Sequence, residues 1–175
     1  MENKMNKRSI YAVTLFVLLG SSHASADNNN NTSSIDQIGD NIAAETIQEG
    51  TNNTNLSDID QGFGAPSNGL TAFVTQGGNI NQNGATVKQD GTDAYADILQ
   101  GGDTNFNTAD VIQDGMSNEA FVTQDGSNNT NGATIHQSGT GDLNSAVITQ
   151  SGNSNTNTAG ISQNGSGLIG STIQN

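Results

Sequence analysis

Gln113-Asp114-Gly115-Met116-Ser117-Asn118-Glu119-Ala120-Phe121-Val122-Thr123-Gln124 is the stretch from which the fold can be read. Asn118, Ala120, Val122 and Gln124 are each two residues apart and so share one parity. In a β-strand, residues i, i+2 and i+4 line one face; on a helix these positions would scatter around the axis. The stretch therefore reads as a turn followed by a strand with an inward face of amide, methyl, branched aliphatic and amide. Gly115, beside Asp114 and Ser117, supplies turn chemistry.

Outward from this stretch, glutamine recurs in phase. It stands at Gln37, Gln48, Gln61, Gln76, Gln89, Gln100, Gln113, Gln124, Gln137, Gln150, Gln163 and Gln174. The successive spacings are 11, 13, 15, 13, 11, 13, 11, 13, 13, 13 and 11. Taken in pairs they make six units, and every gap leading from one unit to the next is 13. All variation lies in the gaps inside a unit. One side of the structure is thus expected to keep a constant turn while the other tolerates insertions.

The neighbours of each glutamine repeat as well. Ala lies four positions earlier at Ala44, Ala72, Ala85, Ala96, Ala109, Ala120, Ala133, Ala146 and Ala159. Val or Ile lies two earlier at Ile35, Ile59, Val74, Val87, Ile98, Val111, Val122, Ile135, Ile148 and Ile161. Asn lies six earlier at Asn55, Asn83, Asn107, Asn118, Asn131, Asn144 and Asn157, and Gly follows two later in ten cases. The unit is N-x-A-x-[IV]-x-Q-x-G.

This pattern predicts an all-β fold, a cross-β solenoid of six strand-turn-strand rungs over residues 33–175. The two strands of a rung face each other across a thin core of Ala and Ile/Val. Rungs stacked about 4.8 Å apart make a block roughly 29 Å long. Inward amides are costly when unpaired. In a stacked repeat each lies over its counterpart and amide donates to amide along the axis. The twelve glutamines, with Asn83, Asn107, Asn118, Asn131, Asn144 and Asn157, are the candidate ladder residues. A one-residue slip would turn every amide outward, so the ladder also sets register.

Composition agrees with a repeat and opposes a single globular core. The 175 residues carry net charge −13, no Cys, no Trp and 31% hydrophobic residues. Without a shared repeat core, such a chain would read as disordered. Lys4, Lys7 and Arg8, the apolar run from Ile10 to Gly20 and Ala24-Ser25-Ala26 read as a secretory signal peptide over 1–26, cleaved after Ala26. The run is too short to span a membrane. The chain beyond Ala26 keeps sixteen acidic residues against Lys88, a net charge of −15. That charge argues against nucleic acid and anionic membrane as partners, and no integral membrane span is expected.

The Gln113 to Gln124 stretch matches Q-x-G-x-x-N-x-A-x-x-x-Q at every fixed position, and Gln89 to Gln100 departs only at Ala94. In this the chain resembles the curlin family, the subunits of curli, over about Ser33 to Gln174. The resemblance implies a functional amyloid, secreted unfolded and assembled outside the cell into a fibre of the biofilm matrix that supports adhesion. It further implies homopolymerisation, a nucleator subunit, an outer-membrane export pore and periplasmic chaperones. Residues 27–32 sit where the family carries its export-targeting segment. The alternatives are the nucleator subunit itself, which in this family tends to have basic residues near its C-terminus, and a monomeric β-helical binding module.

Further expectations concern edges, faces and chemistry. The repeat begins near Ser33 and runs to Gln174, so both ends of the stack are expected to be open templates for another copy. First strands should turn Asp36, Asp58, Asp60, Lys88, Asp110 and His136 to solvent. Second strands should turn out Ile47, Phe73, Leu99, Phe121, Val147 and Ile173, a face suited to lateral contacts. Gly62 to Leu70, with Pro66, is expected to loop out. No catalytic site, metal site or cofactor is read: His136 is the sole histidine after Ala26, and the G-G-x-G-x-D calcium pattern is absent.

Overall fold

The computed structural model describes residues 28–62, 67–139 and 143–175. The signal peptide with Ala26, and Pro66 within the expected excursion, lie outside them. In chain order the strands begin with β1 (Asn30–Gln37), β2 (Gly39–Asp40), β3 (Ala43–Gln48), β4 (Thr54–Gln61), β5 (Ser67–Asn68), β6 (Thr71–Gln76) and β7 (Gln82–Thr92). There follow β8 (Tyr95–Gln100), β9 (Phe106–Met116), β10 (Asn118–Gln124), β11 (Thr130–Gly139), β12 (Asn144–Gln150), β13 (Thr156–Asn164) and β14 (Ile169–Gln174). One sheet runs β1-β4-β7-β9-β11-β13 and the other β3-β6-β8-β10-β12-β14, so each rung gives one strand to each sheet. All pairings between these strands are parallel, and every glutamine lies in register with the next in its sheet. The fold is a β-solenoid of six rungs.

The core is the inward parity of both sheets. Ile59, Val74, Val87, Ile98, Val111, Val122, Ile135 and Ile148 are almost wholly shielded, with the alanines of the same strands beside them. Small and branched side chains suit this space because the two sheets close tightly over it. Strand β1 begins at Asn30. Asn30 to Thr32, read above as export-targeting, pair with Thr54 to Leu56.

The excursion is narrower than Gly62 to Leu70. Gly62 still donates to the Gln89 carbonyl at 2.9 Å. The chain is back in the ladder by Ser67, which pairs with Gly39, and Leu70 is fully buried. Ser67 thus takes the depth that Gly39 and Gly91 hold in neighbouring rungs, and its hydroxyl accepts from the Gly91 amide at 3.3 Å. The outward apolar residues of the second sheet form two columns. Phe73, Phe121 and Val147 share one column with Glu45 and Asp97 in the register Glu45–Phe73–Asp97–Phe121–Val147. Ile47, Leu99 and Ile173 share the other column with Thr75, Thr123 and Thr149.

Candidate functional site

The inward face of each strand ends in glutamine because the adjoining arc must be reached with a polar group that can be satisfied along the stack. In the first sheet Gln37, Gln61, Gln89, Gln113 and Gln137 each donate from Nε2 to Oε1 of the next, ending on Gln163, at 2.6–2.9 Å. In the second sheet Gln48, Gln76, Gln100, Gln124 and Gln150 do the same, ending on Gln174, at 2.8–2.9 Å. The remaining Nε2 proton crosses the core. Gln61 donates to the Ala43 carbonyl at 3.2 Å, Gln113 to Tyr95 at 2.9 Å and Gln124 to Thr108 at 2.9 Å. Gln48, Gln76, Gln89, Gln100, Gln137, Gln150, Gln163 and Gln174 make the equivalent bond at 2.9–3.0 Å. Every glutamine after Gln37 thus holds both a neighbour in its column and the opposite sheet.

The asparagines separate into two columns. Asn83, Asn107, Asn131 and Asn157 lie in the first sheet, each donating from Nδ2 to Oδ1 of the rung before it at 3.0–3.2 Å, with Asn55 at the start. Their donor direction opposes that of the glutamines. Asn55 Nδ2 is buried without a partner, and Asn31 Nδ2 donates to the Gln48 carbonyl at 3.4 Å. In the second sheet only Asn118 and Asn144 form such a pair, at 3.0 Å. The other rungs carry Ile42, Leu70, Ala94 and Leu168 at that depth.

A third amide column carries the inward parity of the first strands back into the arcs. Asn53, Asn81, Asn105 and Asn129 sit inside the arcs between rungs, each just after a residue in the left-handed region. Asn105 Nδ2 donates to the Gly101 carbonyl at 2.7 Å and to Gly126 of the next rung at 3.0 Å. Its Oδ1 accepts from the Asn129 amide at 2.9 Å. Asn53, Asn81 and Asn129 repeat this set, and the Asn155 backbone N–H donates the last bond to Asn129 Oδ1. The clamp explains why these arcs keep a spacing of 13: an added residue would pull the asparagine from both carbonyls. Gly102 is required here, since its φ is +88° and an added Cβ would run into the Gly126 carbonyl. The sequence signal was Asn eight before the first-strand glutamines, in the inward parity, hidden because the second strands carry no equivalent column.

On the outer faces burial raises the pKa of Asp97, which stands in register between Phe73 and Phe121. Tyr95 packs between the same rings, 6.0 Å from Phe73 and 5.5 Å from Phe121. Asp60 is raised by burial first and then by Asp58 and Asp36, while Lys88 opposes the shift. Among the described residues no group of three or more His, Cys, Asp or Glu is placed to hold a metal ion. No helix among them is long and apolar enough to cross a membrane.

The most reactive surfaces are the two ends. Among the described residues β1 and β3 have no strand on their outer edges, nor do β13 and β14. The N-terminal end presents Oε1 of Gln37 and Gln48; the C-terminal end presents Nε2 of Gln163 and Gln174. One end accepts and the other donates, in matching columns.

Residues 107–139, which span β9 to β11, match the family model described as the curlin associated repeat. No curated protein matches the chain. The same residue pattern fills the rungs on both sides of the matched segment, so the chain is a curlin-like structural protein built as a six-rung β-solenoid.

Proposed function

We propose that this chain is the self-assembling subunit of an extracellular amyloid fibre, joined head to tail, that supports adhesion and biofilm matrix. The observation that carries the reading is the pair of end rungs, which among the described residues have no strand beyond them and bear complementary halves of the same glutamine columns at the same strand depth. Unpaired strand edges are templates for further strands, and a heterologous contact that does not close produces a filament. The signal peptide over 1–26 and the family resemblance support export through an outer-membrane pore, with periplasmic chaperones holding the chain unfolded and a nucleator starting growth.

Purified residues 27–175 are expected to bind thioflavin and form unbranched fibres under electron microscopy. Fibre diffraction should give a meridional reflection near 4.8 Å, the spacing of stacked strands. A chain that stays a soluble monomer at high concentration would overturn the reading.

A further inference from the structure

Glutamine columns alone leave one ambiguity at a head-to-tail junction. The two strands of a rung share the inward pattern of Ala, Val or Ile, and Gln. A second copy could therefore dock rotated by half a turn about the fibre axis, with β14 on β1 and β13 on β3, and still align every glutamine.

The end rungs depart from the inner rungs in a way that removes this ambiguity. Two before the glutamine, the second strands of the inner rungs carry Val74, Ile98, Val122 and Ile148, each no more than 1% exposed. The first and last rungs carry Thr46 and Thr172 there instead. Six before the glutamine the end rungs carry Ile42 and Leu168, where β10 and β12 carry Asn118 and Asn144. Thr46 already turns its hydroxyl inward, 3.1 Å from Ser57 Oγ. Leu168 folds under the Gly165 arc as Ile42 folds under Gly39.

We propose that Thr46 with Thr172, and Ile42 with Leu168, set the rotational phase of the junction between copies. This rests on the fibre reading above. In the aligned phase Thr172 meets Thr46, Leu168 meets Ile42, Ile161 meets Ile35 and Asn157 meets Asn31. Hydroxyls pair, aliphatics pack and amides continue their column. In the rotated phase Asn157 lies on Ile42 and Leu168 on Asn31, leaving both amides unpaired in a closing core, and Thr172 and Thr46 each face an isoleucine. The arc holding Asn155 would also lie over the shorter, unclamped arc of Gly39 to Asn41. Leaving a buried amide unsatisfied is the larger cost.

The chain has no Cys, so reporter thiols can read the phase. Outward Ile173 meets Ile47 in the aligned phase and Asp36 in the rotated one. Fibres of I47C/I173C and of D36C/I173C are treated with a short thiol-bridging reagent and resolved on denaturing gels. Positions 47 and 173 lie on opposite end rungs, so bridging joins separate copies. The I47C/I173C protein is expected to give covalent multimers in at least about tenfold excess over D36C/I173C, the ratio set by unpaired amides at the rotated junction. Adding L168N/T172I makes β14 read like a first strand, and the excess should fall below about threefold. Fibres that bridge equally well through both pairs overturn the phase proposal while leaving the fibre reading intact. A preference unmoved by L168N/T172I also overturns the residue assignment. If no fibres form, both readings fall. Should L168N/T172I not assemble, the comparison of the two reporters with native ends still decides.

Discussion

At the scale of single residues, the amides hold this fold together as much as its small aliphatic core does. Gln113 donates to Gln137 and to the Tyr95 carbonyl and accepts from Gln89. Gln113→Leu keeps the volume but takes the side-chain partner from two acceptors and a donor in a closed core. A destabilisation of about 1–3 kcal/mol is expected, read as a lower denaturant midpoint for fibre dissolution, whereas Thr149→Val on the outer face should change little. Ile80 presents the opposite case. It is a β-branched residue at φ +55°, 59% exposed, in the arc position where Asn52 and Asn128 stand in other rungs. Asn tolerates the left-handed region far better than Ile, so Ile80→Asn should raise the same midpoint, by about 1 kcal/mol. The faces of Gln, Ala and Val/Ile were legible in the sequence because parity survives whatever occupies the outer positions. The column of Asn53, Asn81, Asn105 and Asn129 was not: it keeps the inward parity, eight before the glutamine, but only first strands carry it, so a unit read over both strands of a rung does not show it.

At the scale of strands and arcs, the chain uses two connections with different tolerances. The arcs from one rung to the next are clamped by an asparagine that bonds carbonyls of two rungs, as Asn81 bonds Gly77 and Gly102. The arcs within a rung have no such continuous column: Asn118 reaches the Asp114 carbonyl and Asn144 the Gly165 carbonyl, while Ser67 rejoins the ladder after the residues that follow Gly62. A Gly-Ser insertion after Asp103 should therefore cost about 2–3 kcal/mol through loss of the clamp. The same insertion after Gly139 should cost about 0.6 kcal/mol or less, the loop-closure penalty alone. Hydrogen exchange of the flanking strands would separate the two outcomes; equal protection in both variants would contradict the clamp. The spacing pattern anticipated that one side is constant, but not why, since spacing carries no information on which carbonyls an amide reaches. The outer faces were partly legible. Parity placed Phe73 and Phe121 outward, yet only the register reveals that Asp97 lies between them and that Tyr95 bridges their rings.

For the whole molecule, charge opposes stacking and acid relieves it. Asp60 and Asp97 have pKa values raised above the ordinary 3.8 by burial, with Asp58 and Asp36 adding to the effect at Asp60. A carboxyl whose folded pKa is raised binds its proton more tightly in the folded state. Its favourable contribution is complete below pH 3.8 and is lost as pH rises through the raised value. Lowering the pH from 7 toward 4 should therefore stabilise the solenoid and speed assembly. Asp97→Asn should flatten part of that dependence and quicken growth at pH 7, as thioflavin kinetics across the range would report. An assembly rate indifferent to pH would count against stacked carboxylates as a brake.

The two longest within-rung arcs belong to the second and fifth rungs, those that follow Gln61 and Gln137. Three rungs separate them, and in a head-to-tail series three more lead to the next copy's second rung. Added length would then emerge along one flank with an even beat, about every 14 Å at the strand spacing. A peptide spliced into both arcs would be displayed as a single-file, equally spaced row, a ruler printed along the side of the filament.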